Sequence, residues 1–354
     1  MPGRHLRRAP AWWLRRALLV VLVAAIGAAL GAGGWLLAEG DGDDDVVAGE
    51  GTAALSPEPG PVTLVVAGEL HPGAALAARA GGPEVAGGFG DVFATADLAV
   101  VGLTGAVVEV PPADPVDAAW APATVLDALQ DVGVDVVSLA SDRALDLGPD
   151  GLQQTLGAGD GRRVDLVGVG ADEDAAYAPS VRDVGGVRIA VIGATQELAP
   201  ERIASDTAGP GTPGVASAKR LDRLVAEVEA ATQDADVVVV HVHWGEPGEA
   251  CPTTSQQELA AALVDAGADV VAGSGTGTVQ GAGLLGEAVV AYGLGGLVAD
   301  GASEAGALEV EVDADGVAAW RWIPGGVVDG VAEPASDAPA DDLAARQACA
   351  ALTP

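Results

Sequence analysis

The sequence predicts one α/β domain held on an N-terminal membrane anchor. Three stretches carry that expectation. Residues 234–245, DADVVVVHVHWG, hold four consecutive valines, the mark of a central strand covered on both faces. From Pro61 onward, short apolar runs alternate with segments of helical spacing, the pattern of strand–helix units. Ahead of both lies an arginine cluster followed by an uncharged apolar run.

That N-terminal run sets the topology. Arg4, Arg7, Arg8, Arg15 and Arg16 precede residues 17–38, which contain no charged side chain. Twenty-two residues of helix reach about 33 Å, enough for a bilayer core of about 30 Å. Arginines before the span and acids after it place residues 1–16 in the cytoplasm and everything past Glu39 outside. Trp12, Trp13 and Trp35 flank the span as interfacial anchors. A cleaved signal peptide has a shorter apolar core and a small-residue cleavage site, so an uncleaved signal anchor is the expectation. Residues 39–60 carry seven acids, no base and several Gly and Pro, which reads as a solvated linker.

Charge narrows the partners. The chain has 51 acids and 17 bases; removing the five N-terminal arginines leaves 12 bases and an exported charge of about −39. Such a surface repels phosphate backbones, which excludes nucleic acid as a partner, and it equally repels a soluble polyanion unless a cation or a local basic patch intervenes. Both cysteines, Cys251 and Cys349, fall in the exported part, where oxidation is permitted. A Cys251–Cys349 disulfide is the expectation, with two unlinked thiols as the alternative.

Within the domain, 61–329, VTLVVA (62–67) is the first buried strand and LAVV (98–101) the next. HPGAALAARA between them reads as a short helix, and DPVDAAWAPATVLDALQDVG as a longer one capped by Gly133. DVVSLA (135–140), VDLVGVG, VRIAVIG, DVVVVHVHWG, DVVAGS and AVVAYGL continue the strands, with helices around DGLQQTL, 215–232 and 253–267. ALEVEVD and GVAAWRWI, joined through Asp313-Ala314-Asp315-Gly316, form a hairpin. Residues 330–354 read as an acidic Ala/Pro-rich tail with one short helix.

Several segments between about Val62 and Leu297 agree, in order, with those of one known family. The first strand ends Gly68-Glu69 where the family has Gly-Asp, and Gly102-Leu103-Thr104 stands at its Asn-Leu-Glu. SLASDRALDLGPDG (138–151) matches its S-L-A-N-N-H-A-L-D-x-G-x-x-G segment. His243-Trp244-Gly245 is intact, with Glu246 following. GSGTGT (273–278) replaces a Gly-His-x-Pro-His site, and YGLGG (292–296) replaces Tyr-Ser-Leu-Gly-Asn. In these segments the chain resembles the CapA family of poly-γ-glutamate capsule biosynthesis proteins, and the resemblance implies a metallophosphatase-like αββα sandwich and a role in making, moving or attaching poly-γ-glutamate or another cell-envelope polymer, with that polymer or capsule-synthesis proteins as partners.

The resemblance also implies a metal centre, and the residues at its positions depart from one. They are Glu69, Thr104, Ser141, Asp142, Arg143, His243, Ser274 and Gly277. Hydroxyls and glycine do not replace imidazole as nitrogen ligands, and Arg143 sets a fixed positive charge where a cation belongs. No cofactor is therefore expected, and at most one weakly bound divalent metal on Glu69, Asp142 and His243. Arg143 is expected to pair with Asp142 or Glu69 and fill the cleft. The other cleft candidates are His71, His241, Trp244, Glu246, Ser274 and Tyr292. His241 lies on the same strand face as His243, one pleat deeper. Other chemistry is poorly supplied: no G-x-S-x-G elbow occurs, and the GSGTGT loop lacks the lysine of a P-loop. The expectation is a binding or scaffolding protein, against which stand a metal-dependent phosphoesterase or polymer hydrolase or transferase of the same fold and a structural envelope protein.

Overall fold

A computed structural model describes residues 60–112, 118–301, 304–335 and 340–353, all within the compact unit Pro57–Pro354. The expected membrane span, 17–38, and nearly all of the linker lie outside the described residues. No helix among the described residues is long and apolar enough to cross a membrane.

The strands run, in chain order, β1 Val62–Leu70, β2 Leu98–Leu103, β3 Ala106–Val108, β4 Trp120–Pro122, β5 Val136–Ser138, β6 Asp165–Val167, β7 Val169–Gly170, β8 Ser180–Val184 and β9 Val187–Thr195. They continue with β10 Gly214–Val215, β11 Val237–His243, β12 Val270–Ser274, β13 Ala282–Leu285, β14 Ala288–Ala291, β15 Gly296–Val298, β16 Glu304–Asp313, β17 Gly316–Val328 and β18 Val331–Pro334. One eight-stranded sheet has the order β15-β18-β17-β16-β1-β2-β5-β6; a six-stranded sheet has the order β13-β14-β12-β11-β9-β8. β1, β2, β5 and β6 are parallel neighbours, as are β9, β11, β12 and β14.

Side-chain alternation explains the layering. Leu64 and Val66 of β1 join Val237 and Val239 of β11 in a core between the two sheets. Val65 and Ala67, pointing the other way, pack with Leu76, Phe93, Leu126 and Leu152 under helices on the outer face. Val238, Val240 and Val242 do the same beneath the helices Leu221–Asp234 and Thr254–Asp265 on the opposite outer face. Helix, sheet, sheet, helix is the resulting order, a mixed α/β sandwich whose strands must be apolar on both faces. The valine run is legible for that reason.

Several elements differ from expectation. Of the helix expected across 114–133, the described residues 118–133 hold Thr124–Asp131, with β4 ahead of it. Helix Leu221–Asp234 starts later than expected, behind the isolated pairing of Ser217 with Thr195. The segment past Gly330 contributes more than a tail. β18 adds to the large sheet, and helix Ala340–Cys349 is fastened by the Cys251–Cys349 disulfide, by the paired Arg346 and Glu304 side chains, and by Gln347 Nε2 donating to Ala282 O. Leu352, 8% exposed, reaches the core. Its composition is solvent-like, but these few anchors fold it back.

Candidate functional site

The parallel strands of both sheets bring their carboxyl ends to one place, where an α/β fold keeps its ligands. β1 delivers Glu69, the loop after β5 delivers Asp142, and β11 delivers His243. Glu69 and His243 are almost wholly buried, at 6% and 7% exposure, because each points between the sheets.

His243 is held from both sides. Its Nδ1 lies 3.2 Å from Glu69 Oε2 and its Nε2 3.3 Å from Asp142 Oδ1. Ser274 Oγ stands 3.5 Å from Nδ1. Thr104 donates its hydroxyl to the same Glu69 oxygen at 2.9 Å. Burial by itself would push the imidazole down, yet the hydrogen bonds and charges of Asp142 and Glu69 raise it from 6.5 to about 10. Burial would likewise raise both carboxyls, and His243 instead holds Glu69 and Asp142 below their ordinary range. The site is a carboxylate–imidazolium–carboxylate clamp joining the two sheets.

His241, one pleat deeper, is the opposite case. It is 1% exposed, and neither ring nitrogen has a hydrogen-bond partner among the described residues. Burial, with the His243 charge adding to it and Glu69 opposing, lowers it to about 4, so the ring is neutral.

Three expectations need correction. Arg143 does not pair with Asp142 or Glu69; its Nε donates to Asp146 at 2.6 Å, and Arg202 shares that carboxylate at 3.0 Å. Asp146 is three residues along the same turn and within easy reach, whereas His243 already occupies both site carboxylates. Trp244 and Tyr292 do not line a cleft. They are 0% and 1% exposed, stack at 5.7 Å between ring centroids, and Trp244 Nε1 donates to Tyr292 O at 2.7 Å. Alternation along the chain turns Trp244 away from the face that His243 occupies.

The remaining candidates are dispersed. His71 follows β1 half-buried, its backbone N–H donating to Val298 O. Beyond it a hollow of about 210 Å³ opens between Pro72, Leu76, Trp120 and Pro122. Glu246 is exposed. Gly245, at φ 87°, makes the turn after His243-Trp244; a Cβ there would meet the Gln256 side chain at 2.7 Å. Gln256 itself is absent from the sequence candidates. It is wholly buried, closes a capping box with Thr253, and donates to Gln280 Oε1 at 2.8 Å; Gln280 in turn donates to Glu249 O and Cys251 O. This network holds the loops after β11 and β12 together beside the clamp. Its T-x-x-Q signature at 253–256 stands in the sequence. Ser138, also buried and without a partner among the described residues, reads in the sequence as an ordinary strand residue.

The model of the bacterial capsule synthesis protein PGA_cap family matches residues 63–301, the whole of this architecture from β1 to β15. The chain belongs to that family. The PGA biosynthesis protein CapA of Bacillus subtilis (strain 168) is 33% identical over 179 residues, covering 49% of this chain and 44% of that protein. The capsule biosynthesis protein CapA of Bacillus anthracis is 31% identical over 173 residues, covering 49% and 42%. A probable polyglutamine synthesis accessory protein of Mycobacterium tuberculosis is 32% identical over 144 residues, covering 39% and 38%. These matches span less than half the length of each relative. A solved structure of a hypothetical protein from Thermus thermophilus covers 77% of this chain and 100% of its own at 17% identity, with a TM-score of 0.49.

Among the described residues, no group of three or more His, Cys, Asp or Glu is arranged to hold a metal ion.

Proposed function

We propose that this chain is an accessory protein of poly-γ-glutamate or related cell-envelope polymer biosynthesis that works by binding or scaffolding rather than by metal-dependent hydrolysis. It stands outside the membrane, tethered through residues 17–38, with capsule-synthesis proteins or the polymer as partners. The family membership and the names of the relatives support the polymer; the arginine cluster and the uncharged run 17–38 support the tether.

One observation carries the departure from metal chemistry: the two ring nitrogens of His243 each face a carboxylate, at 3.2 and 3.3 Å. A metal ligand must present a free imidazole lone pair, and here each ring nitrogen is engaged with a carboxylate oxygen. The same contacts engage Glu69 and Asp142. Thr104, Ser141 and Ser274 add hydroxyls, weak partners for a first-row divalent ion. The residues present do not fit the metal that the resemblance implies. The hollow beside His71, with one tryptophan and two prolines in its wall, offers a binding surface instead.

The test is elemental analysis of the purified full-length chain after dialysis against Mn²⁺ and Zn²⁺, paired with a phosphodiester assay. Less than about a tenth of an equivalent of metal and no turnover are expected. One metal per chain, with turnover lost in His243→Ala, would restore the enzyme.

A further inference from the structure

Two polar side chains between the sheets serve no contact in the clamp. His241 and Ser138 are 1% and 3% exposed, and His241 Nδ1, His241 Nε2 and Ser138 Oγ all lack a partner among the described residues. Buried polar atoms are nearly always hydrogen-bonded, so three in one place call for a cause.

The register puts them side by side. In the eight-stranded sheet, Glu69 pairs with Gly102 and Gly102 with Ser138, forming one row across β1, β2 and β5. In the six-stranded sheet, Gly193 of β9 pairs with His241 of β11. Each polar residue sits over the glycine of the opposing sheet. A Cβ on Gly102 would fall 2.9 Å from His241 Cε1 and 3.3 Å from its Nε2; a Cβ on Gly193 would fall 2.7 Å from Ser138 Oγ. The two glycines make room for two polar knobs on neighbouring rows of the seam, where strands lie about 4.8 Å apart. No hydrogen bond joins the two side chains directly. One bridging molecule can serve both, since two hydrogen bonds of about 2.8 Å span up to about 5.6 Å.

We propose that the seam between Gly102 and Gly193 is a binding site for a single water molecule bridging the ring of His241 to the hydroxyl of Ser138. Imidazole nitrogens and a serine hydroxyl are all hydrogen-bonding groups, and a guest that can both donate and accept is able to satisfy them together. Water does so at the right size, and buried waters of this kind typically satisfy about two to four polar groups. The bound water extends the polar layer from Asp142 at the mouth, through His243 and Glu69, to the floor of the cleft beneath the clamp.

The sign of one substitution separates a wet seam from a dry one. In a wet seam, Ser138→Ala removes a partner of the water and lowers the melting temperature of the full-length chain in mild detergent by about 2 °C or more. In a dry seam, the same change deletes an orphaned hydroxyl and leaves the melting temperature unchanged or raised, which overturns the proposal. Lost packing can also lower a melting temperature, so the crystal structure of the unsubstituted chain decides. Density within hydrogen-bond distance of both His241 and Ser138 upholds the site; a direct contact between them, or an apolar gap, overturns it.

Discussion

The clamp makes the pH dependence of stability a direct readout of the site. His243 rises from 6.5 to about 10 on folding. A group with a raised folded pKa contributes stability that is fully present below its unfolded value and is lost as pH rises through the folded one. At about 1.4 kcal/mol per pKa unit, the climb from about pH 6.5 to about 10 removes about 5 kcal/mol, an upper figure. His241 acts on the other limb: with a folded value of about 4 against 6.5, it contributes stability above pH 6.5 that drains away as pH falls toward 4. Glu69 and Asp142, held low, add stability that is lost only at still lower pH, below their unfolded values of 4.5 and 3.8. The profile therefore peaks near pH 6.5 and falls on both sides. Urea unfolding between about pH 6 and about pH 10, followed by circular dichroism, measures the alkaline limb. Glu69→Gln should flatten it, since only Asp142 then supports the imidazolium, and His243→Gln should abolish it. At about pH 6.5, Glu69→Gln should also cost about 3 kcal/mol by leaving His243 half-compensated. A wild-type alkaline limb no steeper than that of His243→Gln would refute the imidazolium.

Two further outcomes follow from the covalent frame and the sequence. Reducing Cys251–Cys349, or replacing Cys349 by Ser, opens a loop of 98 residues and should lower stability by up to about 4–5 kcal/mol in the chain-entropy model, read by urea unfolding with and without reductant; two alkylatable thiols in the native exported protein would contradict it. Protease added to intact cells should trim the chain to a fragment holding residues 1–38, detected with an N-terminal tag; a soluble form that begins after residue 38 would replace the anchor with a cleaved signal.

How much of this was legible depended on whether a feature is local. The valine run, the hairpin through Asp313-Ala314-Asp315-Gly316 and the apolar first strand depend on period and turn chemistry, and they appear as β11, β16–β17 and β1. The convergence of Glu69, Asp142 and His243 followed from the resemblance, because their separation of up to 174 positions hides any contact. Partner choice was harder. Arg143 has Asp142 next to it and Asp146 one turn on, and sequence cannot say that His243 has already taken Asp142. Trp244 beside His243 reads as a cleft aromatic until the alternation of side chains and the stacked Tyr292 place it in the core. The folded end of the chain was obscured because a disulfide and a few polar anchors hold it where composition alone predicts solvent.

His241 and His243 state the general point most sharply. They are the same residue type, on the same strand and the same face, both buried. Burial alone would drive both rings neutral. The difference comes from the facing sheet. Its strand end and loop present Glu69 and Asp142 to His243, and two carboxylates outweigh the desolvation. One pleat deeper the same sheet presents Gly102, which has no side chain to accept a proton's charge, and there desolvation wins. A charged histidine and a neutral one thus lie two residues apart. The first joins the sheets through ions, while the second leaves its nitrogens to a neutral guest beside Ser138. Exchanging what faces them should exchange their states. Glu69→Gln with Asp142→Asn removes both negative charges, and the ring resonances of His243 should then titrate near or below 6.5 rather than near 10 in an NMR pH series. A His243 that still titrates near 10 in that double variant would show that its charge comes from somewhere other than these two carboxylates.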